Sequence, residues 1–199
     1  MGMETESAIA LRLGGESGLF RSRDAVAAGV SRTTLSRMTA HGDLMWVSRG
    51  VYQLPQVRQV DPIAVLTTTH PGVVVCLLSA LALHGLTTQS SRQVWIAIKN
   101  KAAAPRVEYP PVQVVRMNEA NLIEGVQAMT IDGVRVQVTA PARTVADCFK
   151  FRSRVGLDVA IEALRSAWQS GAVTMDELWQ AAKQTRMINV MRPYLESLL

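Results

Sequence analysis

The sequence predicts an α+β protein in two parts. An N-terminal winged helix-turn-helix domain covers residues 1–58, and a mixed α+β C-terminal domain that ends in helices covers residues 59–199. Three observations predict this. A capped helix at 31–40 carries its arginines on one side and runs straight into a hairpin pattern. Runs rich in valine and isoleucine at 94–99 and 112–117 follow, set off by turn residues. From Pro141 onward the apolar residues recur at helical spacing.

The elements follow in order. Residues 4–13 read as a first helix, with Ile9, Leu11 and Leu13 among its apolar positions. Ser22-Arg23-Asp24 opens a second, in which Ala25, Val26 and Ala28 are expected to pack inward. Ala28-Gly29-Val30 makes the turn, with Gly29 at the tight corner and Val30 as an apolar plug. Ser31 caps the third helix, which runs to about Ala40. On a helical wheel Leu35 and Met38 fall on one side, and Arg32, Thr33, Ser36 and Arg37 on the other. His41-Gly42 ends it. Residues 44–54 then alternate around Ser48-Arg49-Gly50, the pattern of a two-stranded hairpin with Arg49 at its tip.

Two guanidinium groups and two small hydroxyls on one helix face suit a DNA major groove, because they reach base edges and phosphates without blocking close approach. The expected DNA contacts are Arg21, Ser22, Arg23, Ser31, Arg32, Thr33, Thr34, Ser36, Arg37, Ser48 and Arg49. The alternative is a helical bundle whose arginines only form a solvated face. Such faces usually mix charge signs. From residue 17 to 60 there are six arginines (21, 23, 32, 37, 49 and 58) against two acids (Asp24 and Asp43), a net of +4.

The chain of 199 residues has a formal net charge of +5 and a sequence pI near 9.7, which suggests a polyanionic partner. The acidic start, MGMETESAIA, lacks the pattern of a secretion signal. The longest apolar run, 73–83, is too short to span a bilayer. Cys76 and Cys148 lie in apolar surroundings and read as buried free thiols rather than a disulfide. A cytoplasmic protein with no membrane association is expected.

Pro55 and Pro62 punctuate the polar stretch between the two parts. Asp61-Pro62 starts a helix to about residue 69, Pro71-Gly72 interrupts it, and residues 79–84 read as a short buried helix closed by Gly85. Strands follow at 94–99 and 112–117, then a hairpin of 129–131 and 134–138 across Asp132-Gly133. One helix carries Ala142, Val145, Ala146 and Phe149. The next carries Val159, Ile161, Ala163, Leu164 and Ala167, and two more cover 174–184 and 186–198.

Catalytic signatures are absent from the spacing. His41, His70 and His84 are scattered without Cys or acidic partners at ligand distance, so no metal is expected. There is no phosphate-binding glycine loop, dinucleotide fingerprint or nucleophile elbow, and no cofactor is implied. Ser79 and His84, five residues apart on one short helix, read as structural. A metal-dependent nuclease would need clustered carboxylates, whereas Glu108, Glu119, Glu124 and Asp132 are dispersed. The chain reads as a non-enzyme.

Residues 139–154, TAPARTVADCFKFRSR, hold a basic helix that starts at Pro141, in which Arg143 and Asp147 stand one turn apart. Either this is a structural ion pair with a solvated basic end, or Arg143, Lys150, Arg152 and Arg154 form a second contact face for DNA phosphates or an acidic protein.

Three segments together resemble the AbiEi-like antitoxins of type IV, abortive-infection toxin–antitoxin systems. They are GLFRSRDAVAAGVSRTTLSRMTAHGDLMWVSRGVYQLP, SALALHGLT and TAPARTVADCFKFRSRVGLDVAIEALRSA. The resemblance implies an N-terminal winged helix that binds inverted repeats in double-stranded DNA at its own promoter. It also implies a C-terminal domain that counteracts a nucleotidyltransferase-like toxin without a stable complex. The family's recognition positions fall on Arg32, Thr33, Ser36 and Arg37, its wing on Ser48, Arg49 and Gly50, and its Arg-Thr followed by Asp on Arg143, Thr144 and Asp147. The expected protein is a free monomer that pairs on DNA. The competing readings are a stand-alone regulator whose C-terminal domain senses a ligand or protein, and an enzyme acting on nucleic acid.

Overall fold

The structure, a computed structural model, describes residues 4–56 and 60–198. Arg58 and the expected boundary after it lie outside the described residues. The chain is mixed α+β and divides into two compact units. The first takes in residues up to Gly72 together with Pro105–Pro111 and Met129–Val136. The second holds Val73–Ala104, Val112–Ala128 and the chain from Gln137.

In the first unit the order is α1 (Glu6–Gly14), β1 (Leu19–Arg21), α2 (Ser22–Ala27), α3 (Arg32–His41), β2 (Met45–Ser48), β3 (Val51–Gln53) and α4 (Pro62–Thr69). The strands form an antiparallel sheet in the order β1-β3-β2. Ala10, Phe20, Ala25, Val30, Leu35, Met38 and Leu44 make one core, which holds the first three helices to the sheet. Leu19, Val51, Ala64 and Val65 make another, with α4 against the strands. Helix 62–69, read from sequence as the start of the C-terminal domain, is thus counted with the first unit.

Two inward positions need correction. Val26 and Ala28 are exposed, as is Leu11, while Ala25 is buried as expected and Ala10 and Gly14 are buried in α1. α1 and α2 are short, so small residues set their close approach, while Ile9 and Leu13 pack partly buried against the same core and Leu11 and Val26 are left outside. Val30 is buried as expected. β1, three residues long, has no period for a pattern to detect.

A second sheet, in the order β6-β5-β4-β8-β7, is formed by β4 (Val74–Val75), β5 (Val94–Lys99), β6 (Val112–Met117), β7 (Val126–Ile131) and β8 (Val134–Thr139), of which the Met129–Val136 end of the β7–β8 hairpin is counted with the first unit. β5 and β6 pair in parallel, which buries five consecutive residues of β5 and explains its unbroken apolar run. β4 occupies the central position, although it is only two residues inside the longest apolar stretch. In the second unit the helices are α5 (Leu77–Leu83), α6 (Pro141–Lys150), α7 (Arg152–Val155), α8 (Leu157–Gln169), α9 (Met175–Gln184) and α10 (Ile188–Glu196). α6 is the hub, packed against α5, α8, α9 and α10. Thr174 and Glu177 close a capping box at the start of α9.

Ser79 is structural, as expected, since its hydroxyl accepts from the Trp95 amide at 2.9 Å. His84 Nε2 lies 2.7 Å from the Thr139 carbonyl. Cys76 and Cys148 are buried free thiols, and burial pushes both well above the usual thiol range. Among the described residues no helix is long and apolar enough to cross a membrane.

Candidate nucleic-acid interface

α3 is fixed at both ends and along its inner face. Ser31 Oγ accepts from the Thr34 amide at 3.1 Å at the start. Gly42, in a left-handed conformation, ends it by donating its N–H to the Met38 and Thr39 carbonyls. Thr34, Leu35 and Met38 are buried. Arg32, Thr33, Ser36 and Arg37 are exposed, so the arginines and hydroxyls grouped by the wheel do share the outward side. Among the described residues neither Arg32 nor Arg37 has a carboxylate within ion-pair distance.

A clamp from α1 holds this helix. Glu6 Oε2 accepts from the Ser31 amide at 2.9 Å and the Ser31 hydroxyl at 2.8 Å. The Thr34 hydroxyl, then the Ser31 amide and hydroxyl, hold the Glu6 carboxyl below the usual carboxylate range. A carboxyl lowered in the folded state stabilises it above the ordinary carboxylate range, and this contribution is lost as pH falls through the lowered value. Glu6→Gln is therefore expected to lower thermal stability at neutral pH and to leave it unchanged in acid. Melting curves at the two pH values check it, and equal losses at both would contradict the clamp.

The expected contacts divide on inspection. Arg23 is exposed and 3.4 Å from Asp24, and Arg49 is exposed at the β2–β3 turn. Arg21 is half-buried, with its Nε donating to the Thr68 carbonyl, and burial lowers its pKa. It is committed to packing α4. Ser22 starts α2, and its amide donates to the Gly50 carbonyl at 2.8 Å, tying the hairpin turn to that helix. Ser31, though exposed, is engaged as cap and clamp.

Two contacts are corrected. Thr34 is only 7% exposed because it sits one turn before buried Met38 and faces Glu6. Ser48 is 5% exposed because the strand register shifts between Trp46 and Ser48, a bulge that turns Ser48 inward. The same edge strand leaves Met45 and Trp46 about half exposed, an apolar pair beside the turn that the alternation did not single out.

Gly50 has φ of +73°, and a Cβ there would meet Ser22 Oγ at 3.2 Å. Gly50→Ala is expected to cost about 1–2 kcal/mol from the left-handed backbone alone. The denaturation midpoint measures it, and an unchanged midpoint would mean that the turn relaxes freely.

The second proposed face fails at its first member. Arg143 is 2% exposed, so it cannot touch a partner. Its Nε donates to Asp147 Oδ2 at 2.9 Å, and it also donates to the carbonyls of Glu124 (2.8 Å) and Asn121 (3.3 Å). Lys150 is half-buried. Arg152 and Arg154 are exposed but turn back on the fold. Arg152 donates to the Phe149 carbonyl, and Arg154 donates to Val114 while lying 5.6 Å over the Trp95 ring.

Sequence reading also missed a residue. The Pro105–Pro111 loop belongs to the first unit, and its Arg106 lines one cleft with Arg49, Gly50 and His70. No local signal pointed there. Among the described residues no cluster of three His, Cys, Asp or Glu is placed to hold a metal ion.

Comparison with known proteins bears on the same segment. Residues 8–55 match the family described as "Transcriptional regulator, AbiEi antitoxin", so the family resemblance is shown for this N-terminal stretch. No curated protein matches the chain in sequence. Among solved structures, the crystal structure of the RV2827C protein from Mycobacterium tuberculosis is similar, with a TM-score of 0.59 at 13% identity. The alignment covers 92% of this chain and 72% of that one. At that identity the likeness speaks of fold alone.

Proposed function

We propose that the first unit is a winged helix-turn-helix that binds double-stranded DNA, with α3 as recognition helix and the β2–β3 hairpin as wing. The outward face of α3 carries the reading: two exposed arginines and two exposed hydroxyls lie on a ten-residue helix clamped at both ends. The order α1-β1-α2-α3-β2-β3, with the sheet running β1-β3-β2, supports it. So does the family match over residues 8–55. In this reading the chain is a non-catalytic cytoplasmic regulator. It is monomeric when free, pairs on inverted repeats at its own promoter, and represses it.

The family further suggests an antitoxin of a type IV system that counteracts a nucleotidyltransferase-like toxin without a stable complex. One observation favours the stand-alone regulator instead. The second unit has an open groove of about 620 Å³ whose walls carry Asp158, Glu162 and Arg165, room for a small polar ligand.

A reporter fused to the DNA upstream of the chain's own gene tests the regulatory part. Expression of the chain should lower reporter output, and Arg32→Ala with Arg37→Ala should restore it. Unchanged output would sink autorepression. Rescue of growth when a neighbouring toxin gene is co-expressed tests the antitoxin part separately.

A further inference from the structure

The cleft between the β2–β3 turn and the Pro105–Pro111 loop has a volume of about 590 Å³. Arg49 comes from the turn and Arg106 from a loop more than fifty residues further along the chain, and both are exposed. Neither has a carboxylate within ion-pair distance among the described residues. Burial, then the charge of Arg21, hold His70 below the usual histidine range, so its ring is neutral near pH 7. Its Nδ1 is nevertheless buried with no hydrogen-bond partner among the described residues, a polar atom that the fold itself leaves unanswered. Glu108 supplies the cleft's one negative charge. With the two arginines it leaves a net of +1.

Two unpaired guanidinium groups flanking an open cleft are suited to an anion with several acceptor oxygens, which each fork can meet with paired N–H donors. α3 of the same unit presents two more arginines. The anion that occurs in a row beside such a helix is the phosphodiester of a duplex.

We propose that this cleft seats a backbone phosphate of the bound DNA between Arg49 and Arg106. Arg106 is then a DNA-contacting residue contributed by the distant loop. The inference rests on the DNA-binding reading above. A phosphate contact fixes position and carries no sequence information. Arg106 therefore adds affinity equally on every sequence and adds to the salt dependence.

The test is a salt titration of binding by the full-length chain, on the duplex upstream of its own gene and on a scrambled duplex. Arg106→Ala should weaken binding roughly tenfold on both, the worth of one charge-assisted contact. It should also flatten the plot of log affinity against log salt by about 0.9, one phosphate's counterion release. Arg106→Lys keeps the charge and should keep the slope. Glu108→Gln removes the cleft's repulsive charge and should tighten binding. Arg192→Ala removes an exposed charge from the second unit and should leave the slope alone.

If Arg106→Ala binds like the unsubstituted chain while Arg32→Ala/Arg37→Ala fails, the cleft proposal is overturned and the DNA reading stands. Equal flattening by Arg192→Ala would reduce the effect to net charge and overturn it too. If the unsubstituted chain binds neither duplex, the functional reading falls and takes this inference with it. Arg106 is exposed, so unchanged melting of Arg106→Ala separates lost contact from lost fold.

Discussion

Asp147→Ala is expected to destabilise the chain by about 3–5 kcal/mol, the usual consequence of leaving one half of a buried ion pair alone. Asp147 is completely buried, and Arg143 beside it is 2% exposed. Burial raises the Asp147 pKa, and the Arg143 guanidinium pulls it part of the way back. The carboxylate therefore costs desolvation that Arg143, and to a lesser extent the charge of Lys150, offsets, and without it the guanidinium is stranded in the core. Arg143 has a second task, donating to the carbonyls of Asn121 and Glu124. The segment from the end of β6 to β7 is thereby fastened to α6. Arg143→Met with Asp147→Leu removes both charges and should lose less stability than Asp147→Ala alone. Urea denaturation of the single and double variants measures this. A double variant less stable than Asp147→Ala would mean that the carbonyl contacts, rather than the charge pair, dominate.

The second large effect is on binding. Each arginine that reads a base edge through paired hydrogen bonds contributes about 1–3 kcal/mol of discrimination. Arg32→Ala with Arg37→Ala should thus cost roughly 2–6 kcal/mol on the upstream DNA, and much less on a scrambled duplex. Both residues are exposed on a helix whose buried side is Thr34, Leu35 and Met38, so the melting temperature should hold. Anisotropy titrations on the two duplexes, with a melting curve of the variant, supply the numbers. Equal losses on both duplexes would make these arginines phosphate contacts without sequence preference.

How much of this was legible depends on how local each cause is. α3 was legible to within a residue because Ser31, Gly42 and the Leu35–Met38 spacing all act within the helix itself. β5 was legible as written, since a strand with five consecutive buried residues shows as an unbroken apolar run, and β6 beside it at the sheet edge showed through its valines. Thr34 was within reach too, lying four residues before Met38 and so on its face. Other features have distant causes. The bulge that buries Ser48 depends on the register with β3, and β4 is strand only because β5 and β8 flank it. Arg143 and Asp147 announced themselves as a pair. Their burial came from α8, α9 and α10, which follow later in the chain and fold back onto α6. Arg106 gave no signal, because its position beside Arg49 comes from the return of a loop to a unit that the chain had already left.

The central claim is that α3 and its hairpin read a particular DNA sequence. The most direct measurement is binding of the full chain to the duplex upstream of its own gene and to a scrambled duplex of equal length and composition, over a range of salt concentrations. The account predicts a preference for the upstream duplex that survives as salt rises, because base-edge contacts persist while the counterion term fades. Affinities that are equal on the two duplexes and fall together with salt would contradict it, leaving the arginines of the first unit as a generic positive surface.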